Sequence, residues 1–233
     1  MNETEEFDKF ANNYDAVLDK ELSITGADGS YFLEYKVKEV LEYEGNRPIK
    51  LLDFGCSTGR SADCFEKYFS QMEYHGVDCS SESIKVAQDR NIQGADFIVA
   101  NGESLPFEND FFDVIYCANT FHHIIEDSLK DKILRELYRV LKPGGSLYFF
   151  ECNPLNLGAQ IIMKLCPFDR NAKMITPFFM QKCLQKAGFC VLFMKGLFYF
   201  PRFKVFSVFT SLENTLKKYP LGAQYFIRAK KEK

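Results

Sequence analysis

The segment LLDFGCSTGRS at residues 51–61 constrains this chain more than any other. An apolar run enters a turn carrying Gly55 and Gly59 and leaves it as a helix-forming stretch. Glycines let a backbone approach a ligand closely, and the N–H groups at a helix start favour an anionic group. A dinucleotide turn would read GxGxxG. Here the spacing is Gly55-xxx-Gly59, with Ser57 where the middle glycine would stand. Asp53 sits just ahead of the turn, and a carboxylate there suits a ligand with an ammonium group better than a pyrophosphate. The other reading of the segment, taken alone, is a plain glycine turn between strand and helix.

Short apolar runs alternate with helical patterns around it. Strands are expected at Ile49–Phe54, 74–77, Ala95–Val99, Phe112–Ala118, 146–151, 189–195 and 223–229. A helix is expected over 60–69, and Ser80 should cap another that ends near Arg90. Ser128 with Asp131 three residues on has capping-box spacing, and Lys142-Pro143-Gly144-Gly145 should stop that helix. Thr176 precedes Pro177, and Gly188 lies just past the helix they open. Residues 1–45 read as helical, with 26–30 as a loop. The alternation predicts an α/β fold, a seven-stranded mostly parallel Rossmann-like sheet with helices on both faces. Ligands bind such sheets outside the carboxyl ends of the strands, where the motifs of this chain fall.

At 233 residues, 46% hydrophobic and 26% charged, the chain can bury a core without a disulfide or metal staple. None of the eight cysteines forms a CxxC pair, so they read as reduced core residues of a cytoplasmic protein. With three histidines and no ligand spacing, no metal site is expected. A net charge of −3 gives no reason to expect nucleic acid, and Arg228, Lys230, Lys231 and Lys233 read as a short solvated tail. The acidic start MNETEEFDKF is unlike a signal peptide. The most apolar stretch, 189–209, is broken by Lys195, Gly196, Pro201, Arg202 and Lys204, so no transmembrane span is expected.

The 51–61 segment resembles the first motif, LDxGCGxG, of class I S-adenosylmethionine (SAM)-dependent methyltransferases, with Ser57 in place of a common glycine. Four further segments follow in the order that family has them. Asp78 ends HGVD, 25 residues after Asp53; the resemblance implies that it accepts from both ribose hydroxyls, although it is also placed as a helix N-terminal carboxylate. NGESLPF at 101–107 resembles DAExLPF, which implies Asn101 and Gly102 at the adenine and Glu103 beside them. FDVIY at 112–116 leads into CANTFHH, which in relatives lies along the methionine part of SAM and faces the acceptor. RELYRVLKPGG at 135–145 is a structural block of the family. The series covers about residues 46–152. The family thus implies SAM as cofactor, held by Tyr14, Asp53, Gly55, Cys56, Gly59, Asp78, Asn101, Gly102, Glu103 and Asn119.

FDKFANNYD at 7–15 resembles the FDxxAxxYD segment of quinone-pathway methyltransferases, where it forms a lid. Residues 1–45 are therefore read as a helical cap and 46–233 as the SAM-binding core, with acceptor-binding insertions at about 153–222. Tyr14 is the lid residue expected near the cofactor, or else part of an aromatic face packed on the body. Lys36 is either a partner for the SAM carboxylate or a solvated lysine.

SAM is already a strong electrophile, so alignment carries much of the catalysis. A base matters when the acceptor is a hydroxyl. His123 or His122 would sit where such a base belongs, with His123 preferred if it projects on the same side as Phe121; the other reading is a pair of loop-packing histidines. The aromatic run 197–203 can stack on sugars, enclose an isoprenoid chain, or be core. YPLGAQY at 219–225 resembles the end of a bacterial branch that accompanies glycan and glycolipid assembly. The acceptor expected is a small-molecule or glycan-linked hydroxyl. The alternatives are quinone or aromatic O- or C-methylation, and a non-catalytic SAM-binding partner; the glycine spacing opposes a nicotinamide-dependent oxidoreductase.

Overall fold

The computed structural model describes residues 3–232. Lys233, of the expected tail, lies outside them, as do the first two residues of the expected cap. The core is a seven-stranded sheet of order β3-β2-β1-β4-β5-β7-β6. Its strands are β1 (Ile49–Phe54), β2 (Met72–Asp78), β3 (Ala95–Val99), β4 (Phe112–Ala118), β5 (Leu141–Cys152), β6 (Cys190–Leu197) and β7 (Gln224–Lys230). The first five run parallel, and β7 lies antiparallel between β5 and β6.

Side chains alternate across a strand, and here both faces are apolar. Leu52, Ile115, Leu147 and Phe149 enter one core, and Leu51, Val114, Tyr148 and Phe150 the other. Helix α6 (Asp127–Val140) covers the first with Ile133, Leu134 and Leu137, joined by Met180 and Leu184 of α8 (Pro177–Lys186). The second is covered by Val37 and Val40 of α3 (Gly29–Glu44) and Ala62 and Phe65 of α4 (Arg60–Tyr68). Helix α5 (Ser81–Asp89) starts on its Ser80 cap as expected, the side chain accepting from Ser83 N.

Residues 3–44 are helical, with α1 (Glu3–Phe10), a 3-10 turn at Ala11–Asn13, α2 (Tyr14–Leu22), a second 3-10 turn at Ser23–Thr25, and α3, which packs on the sheet rather than standing apart as a cap. The loop expected at 26–30 is shorter, because Asp28 caps α3 through Tyr31 N. The Ser128 capping box does not form. Helix α6 starts one residue earlier, where buried Lys130 donates to Ile125 O and Asp127. Nor is the end of the chain a solvated tail: Arg228 lies in β7 beside Glu44, and Lys231 donates to Asp110 and Tyr138 O. Two helices lacked a sequence expectation, α7 (Leu157–Leu165) and α9 (Thr210–Leu216).

Candidate functional site

Strand order reverses between β1 and β4, and the crevice beyond their carboxyl ends is where such sheets take ligands. A cavity of about 450 Å³ opens there. Tyr14, Asp53, Gly55, Cys56, Asn119, His122 and His123 all line it, so seven of the expected site residues meet in one place. Asp78, Asn101, Gly102, Glu103 and Gly59 are not on its wall.

The turn after β1 is fixed by backbone chemistry. Gly55 has φ +79°, and a Cβ there would meet the Thr120 side chain at 2.3 Å. Ser57 and Asn119 also take left-handed φ, 48° and 56°, a region that costs most L-residues energy and that asparagine tolerates. That is the physical reason a glycine would be at home at position 57. Beneath the turn Asp53 is buried and accepts from Ser61 Oγ and Tyr74 OH. Burial pushes its carboxyl up to about 6, against the pull of those two bonds, with Asp78 adding to the rise.

Lys36 is no solvated lysine. It is 4% exposed, lines the cavity, and burial pushes its ammonium down to about 8 despite Glu151 and two nearby thiols. A cation and a carboxylate thus face one cavity, the pairing that the aminocarboxyl end of SAM calls for. Tyr116 OH and Gln224 Oε1, both cavity residues, are buried without a hydrogen-bond partner in the protein and stand ready for a ligand.

The residues expected at the adenosine stand apart from the cavity wall. Asp78 accepts from Ser57 N and Ser80 N, each at 2.9 Å, so its two oxygens brace the glycine turn and the start of α5. A carboxylate has lone pairs to spare for hydroxyls. Asn101 accepts from Glu103 N, Glu103 is exposed beside Lys132, and Gly102 is glycine because a Cβ would strike the Phe54 ring at 2.6 Å. Gly59 likewise packs on Ala87 and Phe97. Above this edge Asp8 of α1 accepts from Ser80 Oγ.

The cap is fastened by charge and aromatic contact. Asp15 accepts from Thr58 Oγ1 and pairs with Arg90 at 2.6 Å, while Asp19 pairs with Arg60 at 3.0 Å. The Tyr14 and Phe10 rings lie against Phe168, and the Phe7 ring sits edge-on to His123 at 4.8 Å.

The strand geometry that would have put Phe121 and His123 on one side does not continue. Phe121–His123 is a 3-10 turn; Phe121 enters the core, and both histidines reach the cavity. His122 Nδ1 donates to Glu151 at 2.6 Å, and its Nε2 lies 3.4 Å from Asp169. Burial opposes its charge, but Glu151 and Asp169 outweigh that and hold the imidazolium up to about 10. His123 is the reverse: burial and the neighbouring His122 cation push it down to about 3, with Asp169 pulling the other way at 3.4 Å from Nε2. Donor atoms of His122, His123 and Asp169 lie within 4.8 Å of one another, near enough to share a metal ion. Two carboxylates flanking one imidazole favour a proton there instead. The sequence assigns no role to Glu151 or to the Phe168-Asp169 pair within the expected acceptor region. Only the topology brings them to the histidines, although the buried strand end at Glu151 was a signal.

Residues 52–149 match the family model described as a methyltransferase domain. A demethylmenaquinone methyltransferase of Thermotoga maritima is 33% identical over 150 residues, 64% of this chain and 61% of that one. A phthiotriol/phenolphthiotriol dimycocerosates methyltransferase of Mycobacterium ulcerans is 33% identical over 117 residues, 50% of this chain and 41% of that one. The chain therefore spans about half the length of the curated relatives it matches. A solved SAM-dependent methyltransferase of T. maritima, a possible histamine N-methyltransferase, superposes with TM-score 0.69 at 21% identity, over 99% of this chain and 100% of the other.

Proposed function

We propose that this chain, whose residues 52–149 match a methyltransferase domain and whose fold is shared with a solved SAM-dependent methyltransferase, moves a methyl group from SAM to a hydroxyl of a small-molecule or glycan-linked acceptor in the cytoplasm. The observation that carries the reading is the cavity at the β1/β4 switch point, which Lys36, Asp53 and His123 all line.

SAM, when bound, supplies the electrophilic methyl. Lys36 takes the carboxylate of its amino-acid end, and Asp53 favours the ammonium from beneath the turn. Asp78, with Asn101 and Gly102 beside it, takes the adenosine half, which brings the ligand against the edge that α1 overlies. The cap excludes water from the methyl and its acceptor. His123 stays neutral throughout the physiological range, so its lone pair is free to take the hydroxyl proton, and Asp169 steadies the imidazolium that results. His122, already protonated, positions Asp169 and Glu151. The low basicity of His123 places its contribution near the lower end of the ~10²–10⁴-fold that a general base supplies.

The acceptor class rests on the last third of the chain. Phe198, Tyr199, Phe200 and Pro201 wall the cavity, and YPLGAQY resembles the branch that accompanies glycan assembly. The test is turnover on the true acceptor: His123→Ala should cut kcat about 10²-fold and leave SAM affinity intact. Full turnover in that variant removes the histidine from the chemistry.

A further inference from the structure

Residues 153–222 hold ten lysines and arginines against two acids, in a chain whose net charge is −3. Both acids are turned inward. Asp169 sits with His122 and His123, and Glu213 is buried against Arg202. Lys164, Arg170, Lys204 and Lys218 are exposed. The outer surface of this third is therefore basic with no exposed acid among its described residues.

The same third exposes apolar side chains in a pattern that packing does not explain. In α7, Leu157, Ile161 and Leu165 recur every fourth residue and are 75%, 57% and 54% exposed, one stripe along a helix. The opposite face, Ala159 and Met163, is buried on the cavity wall. Val205 and Val208, at 72% and 73%, and Leu212 of α9 add to the exposed set, with Phe203. Each group adjoins residues that line the cavity. Asn156, which caps α7, donates to Leu221 O, while Arg202 N donates to Thr25 O at the end of the second 3-10 turn. Residues 198–202 and α7 line the cavity between them.

We propose that this face docks on an anionic lipid bilayer, with the α7 stripe and the Phe203–Leu212 segment entering the headgroup boundary and the lysines meeting phosphate. Exposed aliphatic side chains interleaved with lysines and free of acids are what an interfacial surface needs, for apolar burial and attraction to anionic lipid add together. Among the described residues no helix is long and apolar enough to cross a membrane, so the contact is peripheral. The cavity then opens toward the lipid, from which an acceptor with an apolar tail would enter.

Co-sedimentation of the full chain with sucrose-loaded vesicles tests this without any turnover, so its failure leaves the methyl-transfer reading standing. The chain should pellet with phosphatidylcholine vesicles that contain phosphatidylglycerol, and not with pure phosphatidylcholine. Added salt should weaken binding. Neutralising Lys164 and Lys204 (K164Q, K204Q) should each weaken it about fivefold. Leu157→Ser, Ile161→Ser and Leu165→Ser together should weaken it about tenfold or more. All are exposed positions, so thermal unfolding should stay unchanged. Absence of pelleting with phosphatidylglycerol overturns the proposal, as does equal binding to both vesicle types or unaltered binding by the triple-serine variant. A concentration-dependent dimer in sedimentation velocity, abolished by the same three serines, would assign the face to a second copy instead.

Discussion

Glu151→Gln is a sharp perturbation because it keeps shape and removes charge. The Glu151 carboxylate, fully buried at the end of β5, accepts from Phe121 N at 2.7 Å, His122 Nδ1 at 2.6 Å, Cys152 N at 3.2 Å and His122 N at 3.3 Å. A glutamine has one oxygen. If that oxygen stays with Phe121 N, the amide NH₂ faces His122 Nδ1–H and Cys152 N, donors against donors. A buried imidazolium also loses its closer counter-charge, and breaking such a pair costs about 3–5 kcal/mol. At about 2–4 °C per kcal/mol for a domain of this size, the melting temperature should fall about 10 °C. The pH dependence supplies an independent sign. A histidine raised in the folded state stabilises it below the ordinary histidine pKa, and that stability is lost as pH rises from about 6.5 toward the folded value, here about 10. The wild type should therefore lose this contribution across the alkaline range, and the glutamine variant should show a flatter fall. Calorimetric melts at several pH values measure the first effect, and the ¹⁵N shifts of the His122 ring measure the titration directly. A variant that melts within about 1 °C of wild type, with His122 titrating unchanged, would falsify the buried ion-pair argument.

Two further outcomes follow from the cofactor side. Asp78→Ala should weaken SAM binding by about 1–3 kcal/mol in calorimetry, since it strands the ribose hydroxyls; unchanged affinity removes Asp78 from the ribose. Hydrogen exchange over residues 10–24 should slow when SAM or its demethylated product is added, because Tyr14, Leu18 and Leu22 line the cavity in which the cofactor is proposed to sit; equal rates in both states argue against a lid.

The frame of the molecule was legible because its strands are short apolar runs buried on both faces and its turns carry glycine. The motif loops after β1 and β4 could be found for the same reason, and they do line the cavity. Helix α7 was legible in retrospect through Asn156, whose side chain accepts from Ala159 N as a helix cap; apolar residues on both faces of the run after it masked the periodicity. At Gly55 the structure shows a backbone need, a left-handed φ with the Thr120 side chain packed against it. At Gly102 the structural reason is the Phe54 ring, a contact between segments 48 residues apart that no local pattern carries. The same holds for the histidines. Their charge states depend on Glu151 and Asp169, 29 and 47 residues beyond His122, so chain spacing could place them at the site without saying which one holds a proton.

The central claim is transfer of a methyl group, and incubation of the pure protein with methyl-labelled SAM and acceptor pools measures it. Label should move to a nucleotide-sugar or lipid-linked glycan, on an oxygen, with the demethylated cofactor released in equal amount. Label on a quinone precursor would replace the acceptor class by aromatic methylation. Label retained as bound SAM with no acceptor methylated would contradict the enzyme itself and leave a SAM-binding protein.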